Sequence, residues 1–122
     1  IEACRSNAQN AGVDHLMQIK NMDFFQSYPQ TNSGMLVLNP PYGERLDEDK
    51  DIPVFYKKIG DHLKQHYSGH TAWIFSGNKT ALKQFGLRSS EKHSLLNGAI
   101  ECKFHRYDLY TGSKKTGKSV SR

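Results

Sequence analysis

Asn39-Pro40-Pro41-Tyr42 is the stretch of this 122-residue chain whose residue types most clearly do chemistry. Asn39 offers a side-chain carbonyl, and Pro40, although it has no N–H, still offers its backbone carbonyl. Two acceptors held side by side suit the exocyclic amine of a nucleobase, which has two hydrogens to give. They can orient that amine and stabilise positive charge developing on it as it attacks an electrophile. Tyr42 adds a flat face on which a base removed from its helix can stack. The plainer reading is a strand end with a Pro-rich turn and an ordinary aromatic. The chemical reading is preferred, because proline is only about 5% of residues and this combination seldom arises by chance.

The flanking residues say how such a loop is held. Met35 to Leu38 form an unbroken apolar run, which predicts a fully buried, central parallel strand. Pro40 and Pro41 end its ladder, leaving a rigid loop at the strand's carboxyl end, where open α/β sheets place their ligands. Upstream, Ile1, Cys4, Ala8 and Ala11 recur at helical spacing, and Leu16–Ile19 reads as a strand running on to Met22. Downstream, Asp51 is a candidate helix N-cap, with Pro53 near the first helical position. Ile52, Phe55 or Tyr56, Ile59, Leu63 and Tyr67 make an apolar stripe, with Lys57, Lys58, Asp61 and Lys64 facing out. Thr71–Phe75 is a further buried strand with Trp73 in the core. Asn78 then caps a short helix around Lys79–Phe85, and Glu91–Leu96 and Ala99–Tyr110 flank the hairpin signal Asn97-Gly98.

Asn39-Pro40-Pro41-Tyr42 resembles the catalytic motif of class I S-adenosylmethionine-dependent methyltransferases that act on amino groups of adenine or guanine. The longer run through Gly43-Glu44-Arg45-Leu46 resembles the THUMP-associated RNA methyltransferases, and within them the large-subunit ribosomal RNA guanine-N2 enzymes. The likeness extends from residue 1 to about Tyr110. It implies an α/β fold: the C-terminal portion of a Rossmann-like class I methyltransferase domain, with a mostly parallel sheet ending in an antiparallel hairpin. It implies that Asn39, Pro40 and Tyr42 are catalytic, and that Pro41, Tyr42, Gly43, Glu44 and Arg45 meet the substrate. Asp23 would accept from the adenine amine of the cofactor, Phe24 would line the adenine pocket, and Asn39 would also face the cofactor. A loop acid beside two core aromatics is the structural alternative for Asp23 and Phe24, and a local ion pair the alternative for Glu44 and Arg45.

The Gly-rich cofactor loop of that family is not found here, so most of the S-adenosylmethionine site and a THUMP domain are expected upstream, and the chain by itself is expected to be inactive. In the family's strand order, Leu16–Met22 and Met35–Leu38 would be separated by two strands that this sequence lacks. Direct pairing of the two, or a homodimer across the open edge, is the expected remedy for the unpaired backbone. The expected partner is RNA, ribosomal RNA above all. N6 of adenine in DNA is a second substrate reading, and a non-catalytic nucleic-acid-binding or dimerisation module a third.

Composition sets bounds without choosing among these. The chain is long enough for one domain, residues 1–110, followed by a basic tail, 111–122, rich in Ser, Gly and Lys that reads as disordered. Four of the five net positive charges sit in that tail, leaving +1 for the rest. No apolar run approaches a membrane span. Cys4 and Cys102 read as buried thiols, which favours a reducing cytoplasm. His62, His66 and His70 are spaced by four residues but come with no further ligand pattern. A solvated helix face is therefore preferred to a metal site.

Overall fold

The computed structural model describes residues 1–41 and 51–110. In chain order these form α1 (Glu2–Asn10), β1 (Gly34–Leu38), α2 (Ile52–His66), β2 (His70–Ser76), α3 (Lys79–Leu82), β3 (Glu91–Asn97) and β4 (Ile100–Asp108). Single 3₁₀ turns occupy Asp14–Leu16, Phe24–Gln26 and Lys83–Phe85. The basic tail and Tyr42–Arg45 lie outside the described residues.

One four-stranded sheet runs in the order β1-β2-β4-β3. β1 and β2 are parallel, with Leu36 opposite Ala72 and Leu38 opposite Ile74. The hairpin adds its two strands antiparallel, β4 on β2 and β3 on β4. Gly98 takes φ +66°, the positive φ that a two-residue hairpin loop needs, and Asn97 pairs with Ile100, so the turn itself is Gly98-Ala99.

The helices cover one face. Tyr56, Ile59 and Leu63 of α2 pack on Ala72 and Ile74 of β2, and Ala81, Leu82, Phe85, Tyr107 and Leu109 complete the core. Full burial of a side chain such as Leu63 contributes about 1.5–3 kcal/mol. The predicted stripe of α2 is thus the buried one. Asp51 occupies its N-cap position, but its side chain makes no capping hydrogen bond. Asn78 does cap α3, accepting from the Ala81 N–H at 2.9 Å.

Several expectations are overturned. Leu16–Met22 forms no strand: among the described residues it joins no ladder, and β1 pairs with β2 instead, so direct pairing of the two predicted strands does not occur. Among the described residues β1 is the outermost strand of the sheet, and it is not fully buried. Leu36 and Leu38 meet the core, while Met35 and Val37 are 68% and 65% exposed on the opposite face, which no described helix covers. Trp73 sits on that open face too, half-buried and stacked on Phe104 with ring centres 4.7 Å apart, and is not in the core. Cys4 is exposed, because α1 buries only Ala8; Cys102 is buried. The histidines do not form a solvated face. His62 and His70 are buried, since the turn at Phe24–Gln26 folds over α2 and His70 belongs to β2; His66 is exposed. Their rings are engaged, His62 Nε2 with the Ser27 carbonyl at 2.9 Å and His70 Nδ1 with the Ser68 carbonyl at 3.3 Å.

Candidate functional site

β1 ends at Leu38, and the motif begins at the next residue. Asn39 is exposed at the carboxyl end of the strand, Pro40 is buried beneath it, and Pro41 is exposed again. Among the described residues the Asn39 side chain has no hydrogen-bond partner. Asn39, Pro40 and Pro41 are therefore brought together at one sheet end; Tyr42, Gly43, Glu44 and Arg45 lie outside the described residues.

What holds the loop comes from two elements that motif reading passes over. The Tyr56 hydroxyl, from the buried face of α2, donates to the Pro41 carbonyl at 2.8 Å. Ser76, the last residue of β2, lies 2.6 Å from the same hydroxyl and accepts in turn from the Asn78 N–H at 3.0 Å. Proton arithmetic orders this relay. Tyr56 has one hydrogen, which goes to Pro41; Ser76 must therefore donate to Tyr56 and receive from Asn78. Both Tyr56 and Ser76 are wholly buried, where a hydrogen bond is costly to break. The only sequence signals for them were a hydroxyl within an apolar helical stripe and a serine closing an apolar strand.

The expected consequence is measurable. Tyr56→Phe should lose about 2 kcal/mol, because the Ser76 hydroxyl loses the acceptor for its hydrogen and the Pro41 carbonyl loses its donor. That corresponds to a fall in Tm of roughly 10 °C for a domain of this size. An unchanged melting curve would show that the relay does not hold the loop.

Asp23 and Phe24 lie on the turn that covers α2. Asp23 is exposed and its carboxylate accepts from the Phe25 N–H at 2.9 Å, an N-cap arrangement that fixes its direction. Phe24 is half-buried, lying parallel to Tyr67 at 6.3 Å and edge-on to His62 at 4.9 Å. Phe25 meets Phe55 of α2 at 5.8 Å, so the turn is packed on the helix whose Tyr56 anchors the loop.

At the far side of the sheet His105 stands on β4 with its Nδ1 3.2 Å from the Tyr107 hydroxyl. Burial, with help from Lys92 and Lys103, holds the imidazole below its ordinary value of 6.5. Burial alone pushes Tyr107 up to about 12. Because the unfolded chain binds the His105 proton more readily, stability rises with pH through the window below 6.5 and is lost as pH falls. Denaturant melts between pH 5 and 7.5 should show that slope, and His105→Gln should flatten it. An equal slope in the variant would remove His105 as the cause.

Comparison with known proteins now bears on this geometry. Residues 1–106 match the model of the UPF0020 family, described as the RMKL-like, methyltransferase domain. A Synechocystis protein assigned as an RNA methyltransferase is 39% identical over 110 residues, covering 90% of this chain and 29% of the relative. The ribosomal RNA large subunit methyltransferase K/L of Syntrophotalea carbinolica is 37% identical over 113 residues, covering 89% of this chain and 16% of the relative. The chain thus spans less than a third of the length of either. Among solved structures, SMU.472, assigned as a methyltransferase and crystallised with SAH, superposes with a TM-score of 0.80 at 25% identity, over 92% of this chain and 29% of that one. This chain belongs to the RMKL-like methyltransferase domain family.

Proposed function

We propose that the protein carrying this chain transfers a methyl group from S-adenosylmethionine to the exocyclic amine of a nucleobase, guanine N2 of ribosomal RNA. The observation that carries the reading is the Asn39 amide, exposed and unpartnered among the described residues, at the end of a strand whose following loop is tied down by Tyr56. Membership of the family and the ribosomal RNA relative support it.

When bound, S-adenosylmethionine supplies an electrophilic methyl group on a sulfonium. Asn39 Oδ1 and the Pro40 carbonyl oxygen accept the two amine hydrogens, which aligns the nitrogen lone pair and stabilises the charge it acquires on forming the N–C bond. The proton then leaves the nitrogen for solvent. Tyr42 stacks the extruded base, and Pro41, Gly43, Glu44 and Arg45 position its nucleotide. Asp23 fits the adenine end of the cofactor by its chemistry: an exposed carboxylate with its orientation preset can accept from an amine, with Phe24 as the apolar flank. The remaining cofactor contacts belong to residues outside this chain.

The test is nucleoside mass analysis of ribosomal RNA and of DNA from a strain lacking the gene. Loss of N2-methylguanosine from ribosomal RNA, restored by the intact gene, is the expected result. Loss of N6-methyladenine from DNA would move the substrate, and no change in either would overturn the reading.

A further inference from the structure

A second site lies on the helix-covered side of the sheet, away from the proline loop. α3 and the segment after it stand over β4 and β3 and leave a groove of about 520 Å³. Lys79, Lys83, Arg88, Lys92, Lys103 and His105 line it. Strand parity explains the concentration of charge. In the β3–β4 register Lys92 faces His105 and Ser94 faces Lys103, all on the groove side. The alternate positions Glu91 and Arg106 pair on the opposite face at 2.8 Å, and Asp108 joins Arg106 there at 3.1 Å. The pleat thus puts Glu91 and Asp108 on the face away from the groove, while Glu101 shares the parity of Lys103 and His105. Lys79 alone of the groove cations has a carboxylate, Glu101 at 2.5 Å, among the described residues. Lys103 is held by Ser94 Oγ at 2.7 Å, a neutral partner, and Glu101, which pairs with Lys79, feels its charge only through space.

This grouping is notable because residues 1–110 carry a net charge of only +1. A cluster of like charges on one wall is unfavourable without a counter-charge, and burial together with Lys92 and Lys103 already holds the His105 imidazole below its ordinary value. The ligand such a wall fits is polyanionic. Its place in the sheet chooses which. Lys103 pairs with Ser76 in the β2–β4 register, and Ser76 belongs to the relay that holds Pro41. With strands about 4.8 Å apart, the floor at Lys103 and Ser94 lies roughly 5–10 Å from Ser76. A polynucleotide whose target base enters at Asn39 can continue along this same sheet end.

We propose that the groove lined by Lys83, Lys92 and Lys103 binds the phosphodiester backbone of single-stranded RNA flanking the target nucleotide. The assignment of RNA rests on the proposed methyl transfer; the groove's preference for a polyphosphate backbone does not.

Anisotropy of a labelled single-stranded RNA, titrated with the full chain in the absence of any methyl donor, tests this. Lys83→Glu/Lys92→Glu/Lys103→Glu should weaken binding about 10- to 100-fold at low salt. It should also lower the salt slope by about 2, each phosphate contact to a single strand contributing about 0.7. Lys83→Gln/Lys92→Gln, both at exposed positions, is the milder variant that keeps the test valid should the triple one misfold; it should lower the slope by about 1.4. Unchanged affinity in the milder variant would overturn the proposal. So would loss confined to a Lys114→Ala/Lys115→Ala/Lys118→Ala variant, or displacement of the RNA by polyglutamate as readily as by unlabelled RNA. Because no methyl donor is present, these results are independent of the nucleoside analysis, which alone decides the reaction.

Discussion

Asn39→Ala should lower methyl transfer about 10²- to 10³-fold, the loss that follows removal of one preorganised dipole from developing charge. Asn39 is exposed, has no hydrogen-bond partner among the described residues and lies beyond the last paired residue of β1, so truncating it removes little packing. Melting should therefore shift by no more than about 0.5 kcal/mol, the usual range for a surface position. The rate should fall in kcat with KM for RNA nearly unchanged, since the acceptor acts most strongly on the charged nitrogen of the transition state. Complementing the deletion strain with the Asn39→Ala gene and quantifying the methylated nucleoside reads the outcome. Near-normal methylation would remove Asn39 from the chemistry.

The largest stability effect is expected at Gly60. A Cβ built there would lie 2.1 Å from the Phe85 carbonyl oxygen, 2.8 Å from its carbon and 2.9 Å from its Cα. Intrinsic helix propensity favours alanine over glycine by about 1 kcal/mol, so the sign depends on which effect is larger. The contact is backbone, and Phe85 is itself fully buried between Tyr56 and Tyr107, with ring centres 5.4 and 5.5 Å away. α2 cannot withdraw without opening the core, nor can a rotamer change relieve it. Overpacking of that kind should outweigh the propensity gain and leave Gly60→Ala less stable by roughly 3 kcal/mol, or roughly 15 °C in Tm. A variant that melts at or above the parent temperature would show that this helix does not seat against Phe85 as described.

Gly60 also shows where sequence reading ends. Nothing in Lys58-Ile59-Gly60-Asp61 marks that glycine as a contact point; it reads as a weak spot in a helix. Its role exists only because the Lys83–Phe85 turn, 23 to 25 residues later, returns to touch it. Local signals behaved differently. The α2 stripe, the Asn78 cap and the hairpin were all legible, because each depends on residues within a few positions of one another. Met35–Leu38 is the parallel strand that its apolar run predicts but is not fully buried, since an apolar run reports that a strand wants cover without reporting whether cover is there. Leu16–Met22 misled for a related reason: its composition permits a strand, but a strand exists only with a neighbour to bond.

The motif itself, Asn39-Pro40-Pro41, could be read directly, because its chemistry lies in consecutive residues and proline makes their backbone rigid. By itself the sequence determined the family and the helices and strands with local signatures, and it pointed to Asn39 and Pro40 as the acceptor pair proposed above. Only the tertiary structure decided that Tyr56 and Ser76 anchor the loop, that His62 is buried beneath the Phe24–Gln26 turn, and that cations scattered from Lys79 to Lys103 share one wall. The physical reason is range. Propensity and periodicity act over a few residues, whereas hydrogen-bond relays and charge clusters are set by contacts between segments that the chain keeps far apart.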